Sequence, residues 1–422
     1  MSFETAMKND QTGRIFFVNR YFHPDESATS QLLSDLAFHL AQHGHKVHVV
    51  CSRQLYSSAN EKLPVKETIR GVTVHRLWTT RFGRAGLLGR ALDYLSFHMS
   101  CAGALLLALR QSDIVVAKTD PPLLSITTWM SAGLKHATLV NWLQDVFPEV
   151  AAGAGVRPLP AVMERLLCGL RDASLRAAAC NVVLGHRMLE YLRRRPRQGT
   201  NFRIIENWAG GAEARPMGSA DSTLRDSMKL AGKFVVGYSG NLGRGHEYET
   251  VLGAAETLRA DDTIVFLFIG GGVKMDALKL SVQKRGLTNF RFLPYQPRST
   301  LADSLAAADV HLVSLLPALE GLIVPSKFYG ILGAGRPVVF VGDPDGELAR
   351  IIRESQCGRA VAAGNSAELT RTLQTLKFEV SERQMMSAAG RRLLLSRFSK
   401  EHAMSSWLAL VREIQATHDG GE

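Results

Sequence analysis

No apolar run in this chain reaches the roughly eighteen residues that a bilayer-spanning helix needs. The nearest, Met99 to Leu109, is too short and lies between His98 and Arg110. A spanning helix is therefore not expected. Cysteine is sparse: Cys51, Cys101, Cys168, Cys180 and Cys357 stand singly and never as C-x-x-C, which argues against a disulfide framework and a zinc site. The first residues, MSFETAMKND, lack the basic and apolar regions of a secretory signal, so a cytosolic location is expected. Aromatics are almost absent from the most basic part of the chain, Arg157 to Arg203, and without rings to stack on bases a nucleic-acid partner is disfavoured.

What is present fits a globular protein of two domains. The length is 422 residues, with 46% hydrophobic and 21% charged residues. The net charge of +11 is unevenly spread. Arginines 157, 165, 171, 176, 187, 193, 194, 195, 197 and 203 face only Glu164, Asp172 and Glu190, with apolar residues between them at helical spacing. Such a segment suits an anionic membrane surface or a lipid-linked diphosphate, and equally a set of solvated helix faces.

Read for periodicity, the chain alternates strand and helix throughout, which is the mark of parallel sheets covered by helices on both faces. Strands are predicted at Ile15 to Asn19, Lys46 to Cys51, Val72 to Leu77, Ile114 to Ala117, Thr138 to Trp142 and Asn181 to Leu184. A loop is predicted from Tyr21 to Ser30, then a helix from Gln31 to His43. After an irregular stretch the pattern restarts, with strands at Phe234 to Ser239, Thr263 to Ile269, Phe290 to Leu293, Val310 to Ser314 and Val338 to Val341. Helices are expected at His246 to Leu258, Lys274 to Arg285 and Ser299 to Ala307. The domain reading is a first doubly wound domain over 1–208, a linker over 209–232, a second over 233–395, and a C-terminal helix and tail over 396–422 that packs back on the first. Ligands in such folds sit beyond the carboxyl ends of the strands, where the loops converge on a cleft.

Those loops carry phosphate chemistry. Gly240, Asn241, Leu242, Gly243, Arg244, Gly245 and His246 form a glycine-rich turn, with Arg244 able to fork onto phosphate oxygens. The spacing matches neither the dinucleotide fingerprint nor a Walker loop. Gly270, Gly271 and Gly272 form a second close-approach loop, and Pro294, Tyr295 and Gln296 a third that can line a base pocket. From Glu320 to Asp343 the chain reads EGLIVPSKFYGILGAGRPVVFVGD. A helix from Ser326 to Ala334, capped by Ser326, is predicted to place Lys327 at its start, where free N–H groups and the helix dipole hold a diphosphate without metal.

Taken together, RYFHPDESATSQLLSDLAFHLAQHGHKVHVVCSR, VAKTDPPLL, NWLQDVFPEVA, IENWA, VVGYSGNLGRGHEYETVLGAA, FLFIGGG, FLPYQPR and LEGLIVPSKFYGILGAGRPVVFVGD resemble the retaining family 4 glycosyltransferases of the GT-B fold. Within them the resemblance is to the subgroup that builds bacterial exopolysaccharides such as colanic acid. It covers nearly the whole chain. It implies a GT-B architecture, two Rossmann-like domains facing across a cleft, and hexosyl transfer from a nucleotide diphosphate sugar with retention and without cofactor or metal. The implied acceptor is a polyprenyl-diphosphate-linked saccharide at the inner face of the plasma membrane.

By the same resemblance Arg244, Lys327, Glu320 and Asp145 are the candidate catalytic residues. Gly240, Asn241, Gly243, His246, Gly271, Gly272, Tyr295, Gln296, Val324 and Ser326 are the candidate donor contacts. Glu320 resembles the first glutamate of the family's E-x(7)-E motif, but the second falls on Gly330, so the ribose has no carboxylate there. Gln144 and Asp145 stand where the family often has a His-Asp pair. The acceptor is expected near Asp25, Glu26, Ser27 and Thr29, in the loop after the first strand. Asp343, Pro344 and Asp345 spell the D-x-D of manganese-dependent transferases, but their place after a late strand suits a loop beside the donor. His43, His45 and His48 fall across a helix end and a strand rather than on one face, which disfavours a metal. A nucleotide-sugar epimerase on the same fold and a catalytically silent subunit of a polysaccharide assembly complex remain as alternatives.

Overall fold

The structure is a computed structural model and describes residues 13–56, 63–83, 86–156, 160–194, 200–209, 218 and 222–419. It contains two sheets. The first is built from β1 (Ile15–Val18), β2 (Val47–Ser52), β3 (Lys66–Ile69), β4 (Val72–Leu77), β5 (Ile114–Ala117), β6 (Thr138–Trp142), β7 (Cys180–Val183) and β8 (Phe202–Ile204), in the order β3-β4-β2-β1-β5-β6-β7-β8. Only β3 runs antiparallel. β1 is buried at every position because helices cover both faces, and its sequence IFFV is accordingly a continuous apolar run.

The second sheet contains β9 (Phe234–Asn241), β10 (Ile264–Gly271), β11 (Phe290–Leu293), β12 (Val310–Ser314), β13 (Val338–Gly342) and β14 (Gly358–Ala362), ordered β11-β10-β9-β12-β13-β14 and parallel throughout. In both sheets the strand order reverses beside the first strand, which opens a crevice at the carboxyl edge. These two doubly wound halves are the architecture of the GT-B fold.

One face of the first sheet packs against the helices Ala28–Gln42 and Lys400–Asp419. Trp407 of the second of these lies 4.7 Å from Trp142 at the end of β6, and Trp142 in turn stacks on Trp208 at 6.1 Å. The chain's last helix is thus part of the first sheet's core. Each such fully buried large apolar side chain contributes about 1.5–3 kcal/mol relative to exposure. The other face is covered by the helices Leu87–Ala108, Leu124–Lys135 and Ala161–Ala177, with Phe97, Cys101 and Leu105 turned inward onto Phe16, Val18 and Val115.

Five local expectations are corrected. The first helix begins at Ala28 rather than Gln31, because the Asp25 carboxylate accepts from the Ser27 amide at 2.8 Å and sets the turn early; Thr29 is therefore in its first turn and not in a loop. Leu88–Ala108 is long and apolar enough, by length and composition, to cross a membrane, because small and aliphatic residues before Met99 extend the apolar stretch; its inner side is nevertheless committed to the first sheet. The helix after the glycine-rich turn begins at Glu249, not His246, so the turn itself does not open it. Ser326 adopts helical dihedrals and makes no capping bond, and the helix that follows, Lys327–Gly333, has only seven residues. The irregular stretch after β8 contains the short helix Thr223–Ser227, capped by Ser222. Residues 210–217 and 219–221 of that stretch lie outside the described residues.

Candidate active site

The two glycine loops are the carboxyl ends of adjacent strands. Gly240 pairs with Gly270 and Asn241 with Gly271, in register. Gly270 has φ +130° and a Cβ there would come within 2.2 Å of the Gly240 carbonyl oxygen, so no side chain fits between the strand ends. A Cβ on Gly271 would meet the exposed ring of Tyr295 at 2.9 Å. The result is bare backbone beneath an aromatic ring. The Gln296 amide folds back onto the Pro294 carbonyl at 3.0 Å.

Lys327 enters this floor from the start of the helix Lys327–Gly333. Its Nζ donates to the Tyr238 hydroxyl at 2.5 Å and to the Asn241 carbonyl at 3.2 Å, lies 3.3 Å from His246 Nε2, and sits 4.2 Å from the centre of the Tyr238 ring. None of these partners is an acid. Burial lowers the Lys327 pKa to about 7. His246 Nδ1 lies 2.7 Å from the Ser314 carbonyl, which can only accept, so the ring proton is on Nδ1 and Nε2 is left to accept. Burial, and then the neighbouring Lys327 charge, lower the His246 pKa to about 3, so it is neutral. Arg244 is exposed in the same turn, beside Lys274, which donates to the His246 carbonyl at 2.7 Å. Sequence reasoning missed Tyr238, whose hydroxyl is the lysine's nearest partner. Its only signal was its place three residues before Asn241.

Glu320 is not beside Lys327's partners but turned to the next helix. Its Oε1 accepts from the Glu347 amide at 2.8 Å, the first residue of the helix Glu347–Ser355, and burial raises its pKa. Glu347 in turn accepts from the Arg187 amide at 2.7 Å in the first half. The Arg187 guanidinium reaches the Asp345 carbonyl at 2.9 Å through Nε. Asp343 accepts from the Asp345 amide at 2.9 Å, a turn of its own chain. Among the described residues no cluster of three or more His, Cys, Asp or Glu is placed to hold a metal.

Across the cleft, Asp145 forms an antiparallel bridge with Ile323, and the Val146 amide donates to the Leu322 carbonyl at 3.0 Å. This seam joins the backbone of the first half to the loop that leads to Lys327. Burial raises the Asp145 pKa to about 6, and the Thr119 hydroxyl lies 3.4 Å from its Oδ2. Lys118 beside it is buried, donates to the Thr29 carbonyl at 3.0 Å and lies 3.7 Å from the Trp142 ring centre; burial holds its pKa well below the usual range. Gln144 makes a reciprocal amide pair with Asn207, at 3.0 and 2.9 Å, and so faces the interior.

Of the residues expected near the acceptor, Asp25 and Ser27 bond to each other within their own loop. The Asp25 carboxylate accepts from the Ser27 amide and hydroxyl and from the Tyr56 amide, which ties the loop down. Glu26 is exposed, and its carbonyl accepts from the Gln31 side chain at 2.5 Å. Val324 is half-buried and Ser326 exposed on either side of Pro325. The arginine-rich segment divides. Arg171 is buried against Glu149 and Asp172, Arg187 reaches the second half, and Arg203 pairs with Glu413 at 2.7 Å. Arg165, Arg176, Arg193 and Arg194 are exposed, while Arg157, Arg195 and Arg197 lie outside the described residues.

Comparison with known proteins places this geometry. Residues 221–393 match the family model Glycosyl transferases group 1, and residues 29–208 match the Glycosyl transferase 4-like domain. The chain is 28% identical over 339 residues to the probable glycosyltransferase WbjE of Pseudomonas aeruginosa, spanning 79% of this chain and 83% of that one. It is 32% identical over 153 residues to the putative colanic acid biosynthesis glycosyl transferase WcaI of Escherichia coli K12, spanning 36% of this chain and 37% of that one. In fold it is similar to Anabaena HepE in complex with UDP-glucose, with a TM-score of 0.70 at 14% identity over 95% of this chain and 99% of the other.

Proposed function

We propose, for this glycosyltransferase of the GT-B superfamily with a group 1 C-terminal half, that it moves a hexose from a nucleotide diphosphate sugar to a lipid-linked saccharide acceptor. The transfer retains anomeric configuration, uses no divalent metal, and serves bacterial exopolysaccharide or cell-surface glycan synthesis on the cytoplasmic face of the plasma membrane. The observation that carries this reading is Lys327, an amine with no acidic partner among its contacts, set against the bare backbone of Gly240.

The chemistry follows from charge. When the bond from the anomeric carbon to the diphosphate breaks, negative charge builds on the phosphate oxygens. The Lys327 ammonium and Arg244 neutralise it more strongly there than in the ground state, which lowers the barrier. The strand-end glycines let the diphosphate approach the backbone. Asp145, mostly ionised at neutral pH, accepts from the acceptor hydroxyl and orients it toward the anomeric carbon. Water between the halves would intercept the activated sugar, and the Asp145–Ile323 seam supports its exclusion. The exposed arginines of the 157–203 segment supply attraction to an anionic membrane surface.

A second reading, a silent subunit, draws support from the inward-facing Gln144 and from Gly330 at the position of the missing carboxylate. Purified protein incubated with a panel of nucleotide sugars, UDP-glucose first, separates the readings. Nucleotide diphosphate release that depends on a lipid-linked acceptor, with the product's anomeric configuration unchanged by NMR, is the expected result. No release with any donor favours the silent subunit, and interconversion of the donor without acceptor favours an epimerase.

A further inference from the structure

The helix Leu87–Ala108 is apolar on both sides. Its inner side supplies Phe97, Cys101 and Leu105 to the core, as a helix on a sheet should. Its outer side should then be polar. Instead Leu88, Leu92, Leu95, Met99 and Leu106 stand exposed in one stripe at helical spacing, with Leu107 beside them; Leu88 is 83% exposed and Leu107 90%. The only charged residues of this helix are Arg90 and Asp93, and Asp93 is buried, accepting from Thr80 and from the Phe82 and Gly83 amides. Nothing polar of full charge interrupts the stripe.

The two neighbouring helices extend the apolar area into a platform. Met130 and Leu134 are 58% and 69% exposed on Leu124–Lys135, and Val162, Met163 and Leu166 are exposed on Ala161–Ala177. Along one flank of Leu87–Ala108, where the Trp78 carbonyl accepts from Ser100 and the Phe82 amide donates to Asp93, Trp78 and Phe82 are 65% and 62% exposed. Exposed apolar area of this breadth marks a surface that is covered in use.

We infer that this three-helix face lies in the plane of an anionic lipid bilayer, with the aliphatic stripe of Leu87–Ala108 inserted below the headgroups. Charge identifies the occupant. The three helices carry three acids, Asp93, Glu164 and Asp172, and none is exposed. Arg81, Arg110, Arg165 and Arg176 are exposed on or beside the same helices. An apolar surface with no exposed acid, a basic rim and edge aromatics complements anionic headgroups over acyl chains. A second copy of the chain on the same face would set the basic rim against itself. The inference deepens the proposed function by giving its lipid-linked acceptor a bilayer to be reached from, but it stands on this surface alone. It also differs from simple electrostatic attraction, because apolar insertion resists salt.

The test uses the full-length protein, sedimented with vesicles of phosphatidylcholine and phosphatidylglycerol at low and high salt. Wild type should pellet at low salt, retain part of its binding at high salt, and show Trp fluorescence quenched by brominated lipid. The double variant Leu92→Glu, Met99→Glu changes exposed positions only and should cut binding about tenfold or more. Its circular dichroism and its size on gel filtration should match wild type. Equal binding by variant and wild type, or no wild-type binding, would overturn the inference. So would a wild-type dimer that the variant splits, since the face would then belong to a second copy. Donor turnover with a short soluble acceptor, measured on both proteins, keeps failure of membrane binding distinct from failure of transfer.

Discussion

The Lys327 Nζ donates to the Tyr238 hydroxyl at 2.5 Å, and that hydroxyl donates in turn to the Asn241 carbonyl at 2.9 Å. The lysine is thereby aimed by a neutral chain of donors and acceptors, with neutral His246 on its other side. An ammonium in such a setting has its hydrogen bonds but not a counter-charge. A bound diphosphate supplies one.

Removing either positive charge should slow transfer with the fold intact. Lys327→Ala and Arg244→Ala are each expected to lower turnover by about a hundredfold or more, the scale seen when a transition-state charge stabiliser is lost. The check is steady-state kinetics beside thermal melting of both variants. Near wild-type rates in both would remove the diphosphate site from this position.

Tyr238→Phe should separate positioning from charge. The variant keeps the ring and removes the hydroxyl that fixes Lys327, so kcat should fall while a Lys327→Arg variant responds differently to pH. The pH profile is the deciding readout, since a purely structural loss would leave its shape unchanged.

The Lys327 pKa of about 7 fixes the sign of the pH dependence. Below pH 7 the free amine is charged and ready for an anion; as pH rises through 7 the charge is lost, so kcat/KM for the donor should decline on the alkaline side. Donor binding above pH 7 must restore the proton. Calorimetry in buffers of different ionisation enthalpy should therefore show proton uptake at pH 8, absent in Lys327→Arg. On the acid side, Asp145 with its pKa near 6 must lose its proton to accept from the acceptor, so activity should rise through pH 6 and Asp145→Asn should abolish that limb.

Chelation should leave activity unchanged, and Asp343→Asn with Asp345→Asn should have little effect. Asp343 is occupied in its own turn and Asp345 offers its carbonyl to Arg187. Activity assayed in EDTA and after manganese addition checks this. Strict dependence on manganese would move diphosphate neutralisation from Lys327 to a metal on the acidic tripeptide.

The parallel sheets and glycine loops were legible because their signals are local. A strand buried on both faces must be apolar at each position, as in Val338 to Val341, and backbone that meets a neighbouring backbone must be glycine, as at Gly270. Helix starts were less legible. The start at Ala28 depends on the Asp25 carboxylate, and the missing cap at Ser326 depends on how the chain leaves Pro325. Neither is visible in spacing alone.

The sequence by itself determined two doubly wound halves and a set of phosphate-binding residue types, since period, glycine placement and charge are properties of short segments. Tertiary structure alone decided which side chains meet. It turned Glu320 to the Glu347 amide, closed Gln144 on Asn207, put Tyr238 beneath Lys327, and brought Asp145 against Ile323. It also separated the two sides of Leu87–Ala108, which sequence reads only as apolar, into one that the sheet buries and one that it leaves exposed. Contacts between residues far apart in the chain depend on how sheets and helices stack, and no local pattern encodes that stacking.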